Sequence, residues 1–320
     1  GTQNVAVGAL ALDANTTAVN NTAVGHSSLS ANTTASNNTA VGAGALVANT
    51  TGGQNTAVGS LSLDANTTGT RNTSVGYLSL STNTTGNDNC SMGRQSLVLN
   101  TTGDNNCAFG NSALEQNTTA NNNTAVGHVA LQSNTTGTNN VAVGAFALDA
   151  SNVAQNCVAV GVNALGAQVD SGSGTPNDNT AIGRSAGSDV SSGYQNTFIG
   201  SLAGDACTTG NSNICIGHNT DVDDGSATNR YVIGQGISAG ANDSFRFGKS
   251  GNVVSNIFTS NATFTRNSDV SLKKDILTNT DCGLDFINEL RTVTYKWIDD
   301  SSYKEKMYGF IAQEVKAALD

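Results

Sequence analysis

A glycine preceded by an apolar residue returns every 17 residues, at Gly8, Gly25, Gly42, Gly59, Gly76, Gly93, Gly110, Gly127, Gly144 and Gly161. After a five-residue insertion the step resumes at Gly183, Gly200, Gly217 and Gly234. A period this short is one coil of a solenoid, so most of the chain is expected to be a stack of near-identical turns. Aligned on the glycine, the consensus reads Asn-Thr-Ala-Val-Gly-x-x-Ala-Leu-x-x-Asn-Thr-Thr-Gly-x-x. The residues before each glycine alternate as a short β-strand, with Val and the Thr/Val column on one side and Ala on the other. Glycine ends the strand where the chain bends. A segment bearing Leu12, Leu29, Leu46 and their successors to Leu165 follows, and Asn-Thr-Thr makes the return corner. A helix over the Ala-Leu segment is excluded by length, since barely one helical turn would fit.

This pattern predicts an all-β fold, a parallel β-solenoid (β-roll or β-helix) with strands about 4.8 Å apart and a body about 65 Å long. Each coil is expected to bury one Leu, one Val and one or two smaller residues, with Asn columns forming amide ladders at the corners. The Ala column is expected to pack against other copies, giving a parallel homotrimer. Asn-Thr-Ala-Val-Gly followed by Ala resembles the head repeats of trimeric autotransporter adhesins, which implies a β-roll within a trimer. In Ser185-Ala186-Gly187 and Leu202-Ala203-Gly204 a glycine replaces the leucine, so thinner coils are expected there.

Charge divides the chain. Residues 1–267 carry seven Lys and Arg and 14 Asp and Glu, whereas residues 268–320 carry seven and ten in a fifth of the length. The domain reading is therefore repeats over 1–166, an insertion loop over 167–178, a second solenoid block over 179–241, a β neck over 242–267 and a small α+β domain over 268–320. A net charge of −10 disfavours nucleic-acid binding, which needs clustered Lys and Arg. No apolar run reaches membrane-spanning length, so no membrane insertion is expected, and no signal peptide is read at the N-terminus.

Three blocks mark the C-terminal domain: Ser268-Asp269-Val270-Ser271-Leu272-Lys273-Lys274-Asp275-Ile276, Leu290-Arg291-Thr292-Val293-Thr294-Tyr295-Lys296-Trp297, and Gly309-Phe310-Ile311-Ala312-Gln313-Glu314-Val315. In this order they resemble the intramolecular chaperone domain (peptidase family S74) that ends phage tail spikes and fibres. The resemblance implies a domain that assists trimer assembly and then cuts itself off beside the first-block serine. It makes Ser268 the nucleophile, beside Asp269, and Lys273 its base, with Lys274 as an alternative. A serine hydroxyl needs such a base, and desolvation lets a lysine serve. Ser268-Asp269 also fits an ordinary helix cap. The family domain continues for several tens of residues past Ala-Gln-Glu-Val, so the domain reads as truncated at Asp320.

The remaining candidates are weaker. Of six cysteines, Cys90 and Cys107 share the Thr/Val column one coil apart, and the set reads as small buried hydrophobes rather than a metal site. His26, His128 and His218 each follow the glycine, on distant coils. Eight Asn-Thr-Thr triplets from Asn15 to Asn134 match the N-glycosylation sequon. No cofactor and no metal is expected, and at most a single-turnover self-cleavage. The functional expectation is a virion-surface or extracellular fibre of a viral tail, binding a host cell-surface glycan or receptor alongside other virion or fibre proteins. The alternatives are a bacterial trimeric surface adhesin, an ice-binding fibre or a glycan-degrading fibre. Glu115 is the one glutamate before residue 268, which leaves no evident carboxylate pair for glycan hydrolysis.

Overall fold

The computed structural model describes residues 1–169 and 177–259, and beyond them the backbone of three short strands, Thr265–Arg266, Thr292–Tyr295 and Met307–Phe310. The chain divides into two compact units, Gly1–Asn267 and Ser268–Asp320.

The first unit is a parallel β-solenoid with 17-residue coils, and among its described residues there is no helix. Thirteen three-residue strands, from Val5–Val7 to Ile214–Ile216, stack in parallel with like columns aligned, so that Thr39 lies beside Thr56, Ala40 beside Ala57 and Val41 beside Val58. Two longer strands, Arg230–Gln235 and Ser244–Lys249, extend the same ladder, so the segment read as a neck opens with a further parallel rung. Asn252–Ile257 then turns back antiparallel to Ser244–Lys249. Bonding between coils is not confined to the strands. Thr39 N–H donates to Asn55 O, Gly44 N–H to His26 O, Leu46 N–H to Ser62 O and Ala48 N–H to Asp64 O. Backbone donors thus pair with neighbouring coils at points around the whole circumference.

The interior is one side chain thick. Leu29, Leu46, Leu63, Leu80, Leu97, Leu114, Leu131, Leu148 and Leu165 are fully buried, and each holds a left-handed φ near 50°. That conformation costs a non-glycine residue about 1–2 kcal/mol. It is sustained because burial of a leucine side chain returns about 1.5–3 kcal/mol. The Ala-Leu segment is therefore a chain of turns that points Leu at the strand.

Facing Leu across this gap is the strand's middle residue. Ala23, Ala40, Ala57, Ala108, Ala125, Ala142 and Ala159 are fully buried, while Val24, Val41 and Val58, like Thr22, Thr39 and Thr56, lie on the outer side. This reverses the facing expected from the sequence. Ala is the inward column and Val the outward one, because the leucine occupies the interior and leaves room for only a methyl or hydroxymethyl group opposite. Where the inward residue is serine, the turn supplies a serine partner. Ser62 Oγ donates to Ser74 Oγ at 2.8 Å, and Ser79 Oγ to Ser91 Oγ at 2.8 Å. The Ala column, being internal, carries no packing between copies.

The glycine column has a steric cause. At Gly42 φ is 136°, and an added Cβ would sit 2.4 Å from the carbonyl oxygen of Gly59 in the next coil. Backbone passes over backbone here, which no side chain permits.

The expected thinning of the second block does not occur. Phe198 stands where other coils have the inward alanine, between Ala181 and Cys215, and is fully buried. Its ring fills the space left by the missing leucines. A Cβ on Gly204 would lie 2.2 Å from the Phe198 ring, and one on Gly187 2.7 Å.

Candidate functional site

Two columns of asparagine organise the corners. Asn32, Asn49, Asn66, Asn83, Asn100, Asn117 and Asn134 are fully buried. Each from Asn49 onward donates Nδ2 to the Oδ1 of the one before, at 2.8–3.0 Å. Each also donates to a carbonyl three residues ahead, as Asn49 does to Gly52 O at 2.9 Å. These are seven of the eight asparagines of the Asn-Thr-Thr triplets that match the sequon, and in the folded coil their amides face inward and have no room for a sugar. The second column brings backbone and side chain together. Asn38 N–H donates to Asn21 Oδ1 at 2.9 Å, and Asn38 Nδ2 to Gly52 O at 3.0 Å.

This second column ends on a charged residue that the sequence analysis passed over. Arg230 follows Asn213, whose Oδ1 accepts the Arg230 N–H at 3.1 Å. Its buried guanidinium pairs with Asp223 and donates to Ala239 O at 2.9 Å and to Asn242 Oδ1 at 2.9 Å. Beside it, Asp221 accepts from Ala206 N–H at 3.0 Å and from Val222 N–H at 2.7 Å. Burial first, and the neighbouring Asp205 after it, raise its carboxyl to about 7 against the opposing pull of the two N–H donors. Asp221 and Asp223 line an open depression of about 240 Å³ with Asn219, Gly236 and Ser238. The available signal was a break in the repeat, an arginine where asparagine recurs.

The histidines stay apart. His26 Nδ1 lies 3.1 Å from Ser27 Oγ, and His128 packs edge-on against Phe146 with ring centroids 5.5 Å apart. Among the described residues no group of three His, Cys, Asp or Glu is placed to hold a metal ion. Cys157, Cys207 and Cys215 are buried, and burial pushes the thiols of Cys157 and Cys207 up to about 12 and about 11. Cys90 and Cys107 differ from the expected buried hydrophobes. They are free thiols on the outer side of the strands, half-exposed, with their rungs directly paired.

Ser268, Asp269, Lys273 and Lys274 lie outside the described residues. In the second unit, Thr292–Tyr295 runs antiparallel to Met307–Phe310, with Thr292 opposite Phe310 and Val293 opposite Gly309. This pairing joins the second sequence block to the start of the third.

Residues 268–320 match the family model described as chaperone of endosialidase, peptidase S74. No curated protein and no solved structure matches the chain.

Proposed function

We propose that the chain is a structural fibre, a parallel homotrimer whose C-terminal unit sets the assembly in register and then cleaves itself off beside Ser268. The observation that carries this reading is the chaperone-of-endosialidase match over 268–320, directly after a repeating parallel ladder. The physical need supports it. Coils with the same residues in the same columns offer many near-equivalent registers between copies, and a slip of one coil costs little locally. A terminal unit that associates first removes that ambiguity, and its later removal leaves a body held by its unfolding barrier.

In the cleavage step Lys273 as a neutral amine takes the Ser268 hydroxyl proton. Oγ bonds to the adjacent peptide carbonyl carbon, the Lys273 ammonium hands that proton to the leaving nitrogen as the C–N bond breaks, and water hydrolyses the resulting ester to a carboxylic acid and the free Ser268 hydroxyl. The reading places the fibre at a virion surface, attaching to a host glycan or receptor. Intact mass of the product, expressed with a family-length C-terminal domain, is the test. Wild type yields two chains divided beside Ser268, and Ser268→Ala yields one. A Ser268→Ala chain that still divides there removes the nucleophile assignment.

A further inference from the structure

The outward strand positions form a face unlike the rest of the solenoid. From Val5 and Val7, through Thr22 and Val24, to Tyr231 and Ile233 and finally Phe245 and Phe247, the two outward residues before the column glycine are Thr, Val, Cys, Met, Phe, Ile or Tyr in all fifteen parallel strands, and none of these is charged. Past the glycine, the two longest of these strands end on exposed Gln235 and Lys249, outside this pair of columns. Charges sit on other columns. Arg71 and Asp88 pair at 2.6 Å on the corner, Asp64, Glu115 and Asp149 follow the leucines, and Arg94, Arg184 and Lys249 follow the glycines. Large apolar side chains stay open to solvent along the face, among them Val7 (57%), Met92 (39%), Ile182 (41%) and Ile233 (40%).

Fifteen rungs at strand spacing, three residues wide, make a strip of about 700 Å². The largest apolar patch of an ordinary monomer is about 300–600 Å², and one side of a stable protein interface is about 800 Å². Such a strip is an interface by area. Its partner must repeat at the same strand spacing over the same length, and must bring no charge to it. Another copy of this chain does both, and the lack of charge in these columns keeps like charges out of the contact between copies of net charge −10.

We infer that the Thr/Val strand face, Val5 to Phe247, is the surface along which parallel copies of this chain pack in register. This deepens the proposed function by naming the contact within the assembly, and it rests on that reading for the parallel arrangement. Same-numbered residues then meet across the interface, and Cys90 and Cys107 are built-in reporters. Each is to be left in turn as the face's one thiol, in full-length Cys107→Thr/Cys282→Ser and Cys90→Thr/Cys282→Ser chains. Threonine is the usual residue of that column.

Oxidation with copper phenanthroline is expected to give a covalent dimer on a non-reducing denaturing gel for both variants. The Cys90→Thr/Cys107→Thr/Cys282→Ser chain gives none. Val58→Glu, on the face, is expected to weaken assembly at least tenfold by light scattering with β circular dichroism retained, whereas Thr51→Glu, on an exposed corner, leaves it unchanged. If Val58→Glu unfolds, the thiol result decides. An assembly that forms yet leaves Cys90 and Cys107 uncross-linked and freely labelled by maleimide overturns the face and leaves the fibre reading standing. A wild-type chain that is monomeric at every concentration overturns both.

Discussion

Asn66 donates its side-chain amide to Asn49 Oδ1 at 2.8 Å, one full coil away, with both residues fully buried. The same Nδ2 also donates to Gly69 O at 3.0 Å, and Asn66 Oδ1 accepts from Asn83 at 3.0 Å. A polar group is tolerated in so thin an interior because its neighbours above and below present the complementary atoms of the same amide. The ladder thereby ties coil to coil independently of the backbone.

Asn83→Ala should therefore be costly. It removes the donor to Asn66 Oδ1 and to Gly86 O, and the acceptor of Asn100 Nδ2, leaving buried polar atoms unpaired. A loss of about 1–3 kcal/mol per stranded group is expected, read as a shifted urea midpoint. Thr51→Ala, at an exposed corner position, should change the midpoint hardly at all. Equal effects from the two would refute the ladder's role.

Gly42→Ala tests the glycine column. The backbone angle there is one that side chains rarely adopt, and the methyl would press on Gly59 O. Destabilisation of about 1–3 kcal/mol from the backbone angle alone is expected, with the contact adding to it. Gly53→Ala, where an added Cβ comes no closer than 3.2 Å to Ser36 O, should be much milder in the same thermal melts.

The period, the strand and the buried leucines were legible in the sequence because a repeated position reports its environment many times over. Which face of the strand is inside was not. A three-residue Thr-Ala-Val strand gives alternation without direction, and Val outranks Ala on any transfer scale. The deciding fact is geometric: Leu46, in a left-handed turn, fills the space that Val41 would need. The buried asparagines were read as corner ladders, but the triplet's likeness to a sequon hid how far inside they lie. Phe198 and Arg230 were readable only as exceptions to a column, and an exception does not name what surrounds it. For Ser268 and Lys273 the motif alone speaks.

Phe198→Ala should open a cavity where Gly187 and Gly204 have no side chains to collapse into it, at a cost of about 3–5 kcal/mol. Adding Gly204→Leu restores the residue pair that the first block uses at these positions. Coupling between neighbours of this kind is the mark of a shared space. The double variant is expected to recover at least half of the loss in a denaturant melt. A double variant no more stable than Phe198→Ala would show that the ring does more than fill the leucine's place.

Acidity should act through Asp221. Burial is the larger cause of its raised carboxyl and Asp205 a further one, with the folded value about 7 against an ordinary 3.8. A carboxyl raised on folding binds its proton more tightly in the native state, so its contribution is fully present below about pH 4. It is lost as pH rises through about 7, where the folded state must ionise a buried group. Thermal melts from pH 4 to 8 should fall across that window. Asp205→Asn leaves the Asp221 contacts to Ala206 and Val222 in place, removes the like charge and offers an amide donor. Its melts should fall less over the same range, and the gap to wild type should widen with pH. A variant that tracks wild type at every pH would mean that Asp205 does not set the Asp221 proton affinity.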